Sequence, residues 1–314
     1  MESGTLQPLA DRLRAQMAQV VFGQDEIITQ ILACLLSRGH ALLQGVPGLA
    51  KTLLAKALAR AVGGSFRRIQ FTPDLMPSDV TGVSILKQPE GVFVFRPGPI
   101  FCHVLLADEI NRTPPKTQSA LLQAMEERFV TIDGEDRTLP APFFVMATQN
   151  PIEYEGTYPL PEAQLDRFLM KIIIGYPDEA HELDILRQGI NLHSKVASLA
   201  TATTVEELMA AAAIVDRVTV EEALLRYVLS LVRRTRETPQ VLLGGSPRAA
   251  LALLSTAKAV AAMEGRSYLV PDDVKLVAPP VLRHRLILRP EAELEGLSAD
   301  RLITQLLSGV PVPR

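Results

Sequence analysis

Tryptophan is absent from this 314-residue chain, and aromatic residues make up only 5% of it. The interior must therefore be filled by aliphatic side chains, and the abundance of Ala and Leu leans toward helix. Cysteine is almost absent as well. Cys34 and Cys102 form no CxxC pair and no even-numbered framework, which excludes a disulfide scaffold and fits small buried residues in a reducing compartment. The five histidines (His40, His103, His181, His193, His284) are scattered without metal-ligand spacing. Neither charge sign dominates: net charge is −3, with acids and bases interspersed. That speaks against the basic face of a nucleic-acid binder, and Arg67-Arg68 and Arg233-Arg234 read as solvated ends of elements. No run approaches a membrane span, and the opening "MESGTLQPLADRLRAQMAQVV" lacks the basic start and apolar run of a signal peptide. No membrane association is expected, and the cytoplasm is the expected location.

What is there is a globular composition, 47% hydrophobic, with length enough for two domains. Leu9, Leu13, Met17 and Val20 share one face of a first helix, and "IITQILACLLSRG" starts a second. Five short segments read as strands: His40 to Gly45, Phe66 to Phe71, His103 to Glu109, Pro142 to Asn150 and Phe168 to Tyr176. Helical stretches alternate with them, notably Thr52 to Val62 and Lys116 to Glu127, which predicts an α/β fold with a parallel sheet. Two segments, Val83 to Gly98 and Glu127 to Pro142, carry a glycine turn between β-prone residues and read as inserted hairpins. After Tyr176-Pro177 the texture becomes helical. Capping boxes are expected at Thr204 with Glu207 and Thr219 with Glu222, and Ser246-Pro247 marks a helix start. The predicted organisation is an α/β core over residues 1–176, with inserts near 83–98 and 128–140, and a helical domain over 177–314.

The chemistry is concentrated at "GVPGLAKT", Gly45 to Thr52, between a strand and a helix. In that setting the backbone N–H groups of Val46, Pro47's neighbours Gly48 and Leu49, and Ala50 to Leu53 curl around a phosphate at a helix N-terminus. Lys51 reaches the β- and γ-phosphates and Thr52 coordinates Mg²⁺. Gly45 and Gly48 supply flexible φ angles. The phosphate-loop pattern wants glycine where Ala50 stands, which is tolerable if that residue is already near αR as the helix begins. A second half-site, "VLLADE", ends an apolar strand where open α/β sheets bind ligands. Asp108 is placed to hold Mg²⁺ through water and Glu109 to polarise the attacking water. ATP and Mg²⁺ are the expected cofactors.

Three further residues stand in suggestive places. Asn150 ends a strand and is placed to orient water, or simply forms the turn of "NP". Arg167, before the last strand, also suits a helix C-terminus. Arg248 lies in the first turn of a helix, against the dipole, which points to an anion nearby.

The set "GVPGLAKT", "LLADEINRTPPKTQSALLQAMEE", "ATQNP", "LPEAQLDRF" and "GGSPRAAL" closely resembles the MoxR family of AAA+ ATPases over nearly the whole chain. The resemblance implies a P-loop three-layer αβα AAA+ core followed by an all-helical lid, with nucleotide in the cleft between them. It implies that Asn150 is the sensor-1 residue, Arg167 an arginine finger offered to a neighbouring subunit, and Arg248 the sensor-2 arginine of the lid. Phe22, Gly23 and Gln24, in "VFGQ", resemble the stretch that packs on adenine. The two hairpins resemble the helix-2 insert and the pre-sensor-1 hairpin. It further implies a ring, a homohexamer by first choice, with chaperone-like work in metal or cofactor insertion or complex maturation, beside partners carrying a von Willebrand factor A domain. A nucleic-acid motor or a P-loop small-molecule kinase uses the same loop. Balanced charge opposes the first, and the paired arginines and large lid oppose the second.

Overall fold

The computed structural model describes residues 6–88, 90–150, 157–189 and 192–313. The first five residues of the acidic opening, Pro89 in the first hairpin and the proline after Asn150 lie outside the described residues. Helix α1 (Gln7–Ala18) buries Leu9, Leu13 and Met17 along one face, as their spacing requires. Helix α2 (Asp25–Leu36) follows, with Asp25 and Glu26 favourably in its first turn. Strand β1 (Ala41–Gln44) then leads through the glycine-rich loop into α3 (Lys51–Ala61).

Strand β2 (Phe66–Gln70) and the short α4 (Pro77–Thr81) precede the first hairpin, β3 (Gly82–Lys87) with β4 (Val92–Pro97). Strand β5 (Val104–Asp108) is buried throughout, and α5 (Pro115–Glu127) follows it. The second hairpin pairs β6 (Phe129–Ile132) with β7 (Glu135–Thr138). Its Asp133-Gly134 turn holds both residues at positive φ, the condition for a two-residue turn that matches strand twist. Strand β8 (Phe144–Gln149), the single-turn α6 (Glu162–Leu165) and β9 (Met170–Ile173) complete the core.

The five strands form one parallel sheet in the order β2-β5-β8-β1-β9. Alternate residues face opposite layers. Leu43, Leu106 and Met146 pack toward α1 to α3, whereas Leu42, Leu105 and Val145 pack toward Leu121 and Met125 of α5. That is the three-layer αβα arrangement. Its topological consequence is that the C-terminal ends of β1, β5 and β8 lie side by side, where open α/β sheets place ligands.

Beyond β9 run α7 (Glu179–Gln188), α8 (Leu192–Ser198), α9 (Val205–Asp216) and α10 (Glu222–Glu237). Strand β10 (Val241–Leu243), α11 (Pro247–Met263) and α12 (Pro271–Leu282) follow, then β11 (Ile287–Leu288), α13 (Pro290–Leu294) and α14 (Ala299–Gly309). The expected all-helical lid therefore carries a small antiparallel pair, β10 with β11. Leu231, Leu253 and Val277 of this region belong to the same buried cluster as Leu13 and Leu58.

Of the caps read from sequence, Ser246 accepts from Ala249 N at 3.3 Å and Thr204 from Glu207 N at 3.2 Å. Glu207 does not return the bond; its carboxylate takes the Thr203 hydroxyl and Arg12 instead. The box at Thr219 does not form. Its hydroxyl donates to Ser267 O, and Glu221 stands at the helix start.

Candidate functional site

The loop between β1 and α3 owes its shape to three small residues. A Cβ on Gly45 would lie 2.8 Å from the carbonyl oxygen of Ile174, so a side chain there collides with backbone. Gly48 has φ +90°, open to glycine and strained for other residues. Ala50 departs from expectation. It lies at φ 54°, ψ 18°, in the left-handed region rather than αR, immediately before Lys51 begins the helix. The chain must turn sharply to aim the first N–H groups of α3 into the loop, and the αL residue makes that turn at a steric cost that glycine escapes.

Lys51 reaches back over the loop, its Nζ donating to Gly45 O at 2.6 Å and Val46 O at 3.0 Å. Burial lowers its pKa, while Asp108 and Glu109 oppose the shift. Across the cleft, Asp108 Oδ1 accepts from the Thr148 hydroxyl at 2.6 Å, and Oδ2 accepts from Arg68 Nη2 at 2.7 Å and Nε at 3.1 Å. Thr148 Oγ1 in turn accepts from Glu109 N at 2.8 Å. Glu109 sits at φ 57°, ψ 51°, and its Oε2 accepts from Gln70 Nε2 and Arg112 Nε, each at 3.0 Å. Thr148, Gln70 and Arg112 escaped the sequence reading, and Arg68, read there as a solvated end, is instead bound to Asp108. The register offers the signal for one of them, since Gln70 pairs with Asp108 across β2 and β5.

Arg68, Gln70, Asp108, Glu109 and Thr148 line one cleft of about 840 Å³, which residues 47–54, Asn150, Phe22 and Gln24 also line. Gly23, Gly45 and Val46, expected at the nucleotide, do not line it. Gln24 Nε2 donates to Gly175 O at 3.1 Å, and Gly23, at φ +65°, leaves room for the His181 ring where a Cβ would lie 2.8 Å from it. The cleft is closed on this side by Tyr176 and by Ile185 and Leu186 of α7, none of them foreseen as site residues. One end is therefore apolar and the other carries Lys51, Thr52, Asp108 and Glu109, as a purine and a polyphosphate require.

The fit to ATP and Mg²⁺ rests on that donor set. Gly48, with open space where a Cβ would stand, admits phosphate close to backbone, and the Thr52 hydroxyl and Asp108 carboxylate are hard oxygen ligands. Among the described residues no group of three His, Cys, Asp or Glu could hold a metal alone. A magnesium ion here depends on phosphate oxygens and water for its remaining ligands.

Arg167 and Arg248 are elsewhere. Neither lines this cleft; both line a second pocket of about 520 Å³. There Arg248 Nη2 meets Glu126 Oε1 at 2.8 Å and Arg167 Nη1 meets Oε2 at 3.2 Å. The carboxylate beside Arg248 is thus Glu126 of its own chain, and Arg248 does not line the cleft that holds Lys51 and Asp108. The reason lies in topology: α5 ends, and β9 begins, at the opposite edge of the sheet from the C-terminal strand ends.

Among the described residues no helix is long and apolar enough to cross a membrane. Comparison with known proteins gives the family. Residues 40–170 match the ATPase family associated with various cellular activities (AAA), and residues 233–306 match the AAA lid domain. Protein YeaC of Bacillus subtilis is 48% identical over 98% of this chain and 96% of its own. The chaperone MoxR1 of Mycobacterium tuberculosis is 45% identical over 97% of this chain and 82% of its own. The crystal structure of a candidate ATPase from Cytophaga hutchinsonii superposes with a TM-score of 0.91 at 41% identity, covering 98% of this chain and 96% of that one. With its phosphate loop, its paired acids at the end of β5 and relatives of this identity over nearly their full length, the chain is an ATPase and belongs to the MoxR family of AAA+ ATPases.

Proposed function

We propose that this ATPase works as a homo-oligomeric ring, a hexamer by first choice, in which one copy binds each nucleotide and the next completes the site. The observation that supports this is the separation of parts. Lys51, Thr52, Asp108, Glu109 and Asn150 share one cleft, while Arg167 and Arg248 converge in another pocket of the same chain. Neither Arg167 nor Arg248 lines the cleft of its own chain, where Arg68 is engaged with Asp108, and a head-to-tail neighbour supplies them; such contacts close into rings.

Within the cleft, the loop N–H groups and the Lys51 ammonium hold the β- and γ-phosphates. Thr52 and Asp108 hold Mg²⁺, which when bound neutralises charge on the phosphate oxygens. Glu109 takes the proton of the attacking water and Asn150 orients it. Phe22 and Gln24, with Tyr176, form the base end. Catalysis is then a matter of position and electrostatics.

The ring does chaperone-like work, remodelling or maturing partner proteins, metal or cofactor insertion included. The name of the similar chaperone MoxR1 supports this, as does the family resemblance, which also points to a partner with a von Willebrand factor A domain. The buried, unpaired Cys34 and Cys102 suit the cytoplasm.

The test is complementation. An arginine finger is worth on the order of 10³-fold or more in rate, so Arg167→Ala alone is expected to be nearly inactive, as is Lys51→Ala alone. Mixed, an intact loop from one meets an intact arginine from the other, and activity returns at those interfaces. A flat, inactive profile in mixtures whose subunits have demonstrably exchanged refutes the reading.

A further inference from the structure

Glu126 and Arg248 are each misplaced on their own helices. Glu126 stands in the last turn of α5, whose unpaired carbonyls disfavour a carboxylate, and Arg248 in the first turn of α11, whose free N–H groups disfavour a cation. Together they compensate, at 2.8 Å. Arg167 occupies the other carboxylate oxygen at 3.2 Å, so one carboxylate from α5 gathers an arginine from the core and an arginine from beyond it. Hydrogen bonding from Arg248, first, holds the Glu126 pKa below the usual carboxylate range.

The backbone beside Arg167 is held from the same side. Arg285, only 8% exposed, binds Asp166 Oδ1 at 2.6 Å and donates to Phe168 O at 2.7 Å and Leu169 O at 3.0 Å. The two residues flanking Arg167 are therefore clamped, while its side chain remains about a third exposed at the pocket wall. Arg248 is about half exposed. Ion pairs so open to water add little to folding stability, so stability does not account for the bridge.

We propose that Glu126 is a positioning residue for hydrolysis: it holds Arg167 and Arg248 together as a preformed two-arginine receptor for the terminal phosphate bound by the neighbouring copy. Two guanidinium ions repel each other, and the carboxylate between them removes that repulsion. The bridge uses Nη1 of Arg167 and Nη2 of Arg248, whereas each guanidinium has five N–H donors, so phosphate is met without breaking it. The proposal rests on the reading of these arginines as acting in the neighbour's site.

The experiment is steady-state hydrolysis by assembled Glu126→Ala and Glu126→Gln, with folding and assembly checked by melting and light scattering. A side chain misplaced by about 1 Å costs on the order of 10²-fold. The expected result is a fall in kcat of roughly tenfold to a hundredfold, with ATP affinity unchanged, partial recovery in Glu126→Asp, and a smaller further loss when the substitution is added to Arg248→Ala, where only Arg167 is left for Glu126 to hold. Mixing Glu126→Ala with Lys51→Ala should restore activity, because Glu126 acts in the copy that donates the arginines. A kcat equal to or above the parent's overturns the proposal. So does an inactive Glu126→Ala mixture beside an active Arg167→Ala mixture, because Glu126 then acts in its own site. If both mixtures are inactive, the reading of the arginines as acting in trans is what has failed.

Discussion

Replacing Ala50 by glycine tests the loop geometry through the sign of one number. Ala50 is held at φ 54°, ψ 18°, where an L-residue's Cβ crowds the following carbonyl. That strain costs about 1–2 kcal/mol, and glycine is free of it. Glycine also loosens the unfolded chain, which costs about 0.4–1 kcal/mol. The residue is exposed, so little buried apolar area is lost with the methyl. The net expectation is that Ala50→Gly stabilises the nucleotide-free protein by roughly 0.5–1 kcal/mol. On a domain of this size that raises the melting temperature by roughly 1–3 °C. If Ala50 instead stood at αR in the start of the helix, the same change would destabilise by about 0.5–1 kcal/mol. Urea denaturation of parent and variant, compared at equal slope, reads the sign directly. A lower midpoint for Ala50→Gly refutes the left-handed assignment and the turn built on it.

Lys51→Ala is expected to abolish ATP binding in titration calorimetry, whereas Glu109→Gln keeps binding and loses turnover; equal affinity of Lys51→Ala and parent would remove the phosphate role from this loop. His40 is buried, with Nδ1 accepting from Val145 N and Nε2 facing Met125 O, and desolvation lowers its pKa from 6.5 to about 3. Burial pushes His284 down as well. Between about pH 6.5 and 3 the unfolded chain binds a proton at His40 that the folded chain refuses, so stability falls as pH falls through that window. The slope approaches about 1.4 kcal/mol per pH unit for one such histidine. Denaturation at pH 7 and pH 5 should show a smaller pH-dependent loss for His40→Gln than for the parent, and an identical loss would contradict the neutral buried imidazole.

The α/β core could be read from the chain because its signals are local. Four of the five central strands are mostly apolar runs bounded by polar or turn residues, β2 with its two arginines being the exception, and the Asp133-Gly134 turn announces its hairpin by itself. The phosphate loop and the Asp108-Glu109 pair are equally local, since each is one contiguous stretch at a strand end. What the tertiary structure decided is everything that joins distant stretches. Strands β10 and β11 have three and two residues, too few for any periodicity, and exist only because they pair. Thr219 looks like a cap in isolation and becomes a partner of Ser267 when the chain beyond brings that carbonyl close. Thr148 gains its meaning from the strand order, which lays β8 against β5 and puts its hydroxyl between Asp108 and the Glu109 amide. Arg248 showed that an anion was needed, but not which one. Only the tertiary arrangement that brings Arg248 Nη2 to 2.8 Å from Glu126 Oε1 selects Glu126, 122 positions earlier in the chain, over a phosphate in the cleft. Backbone propensity acts over a few residues, whereas the partner of a charge is set by whatever the whole core brings within hydrogen-bond reach.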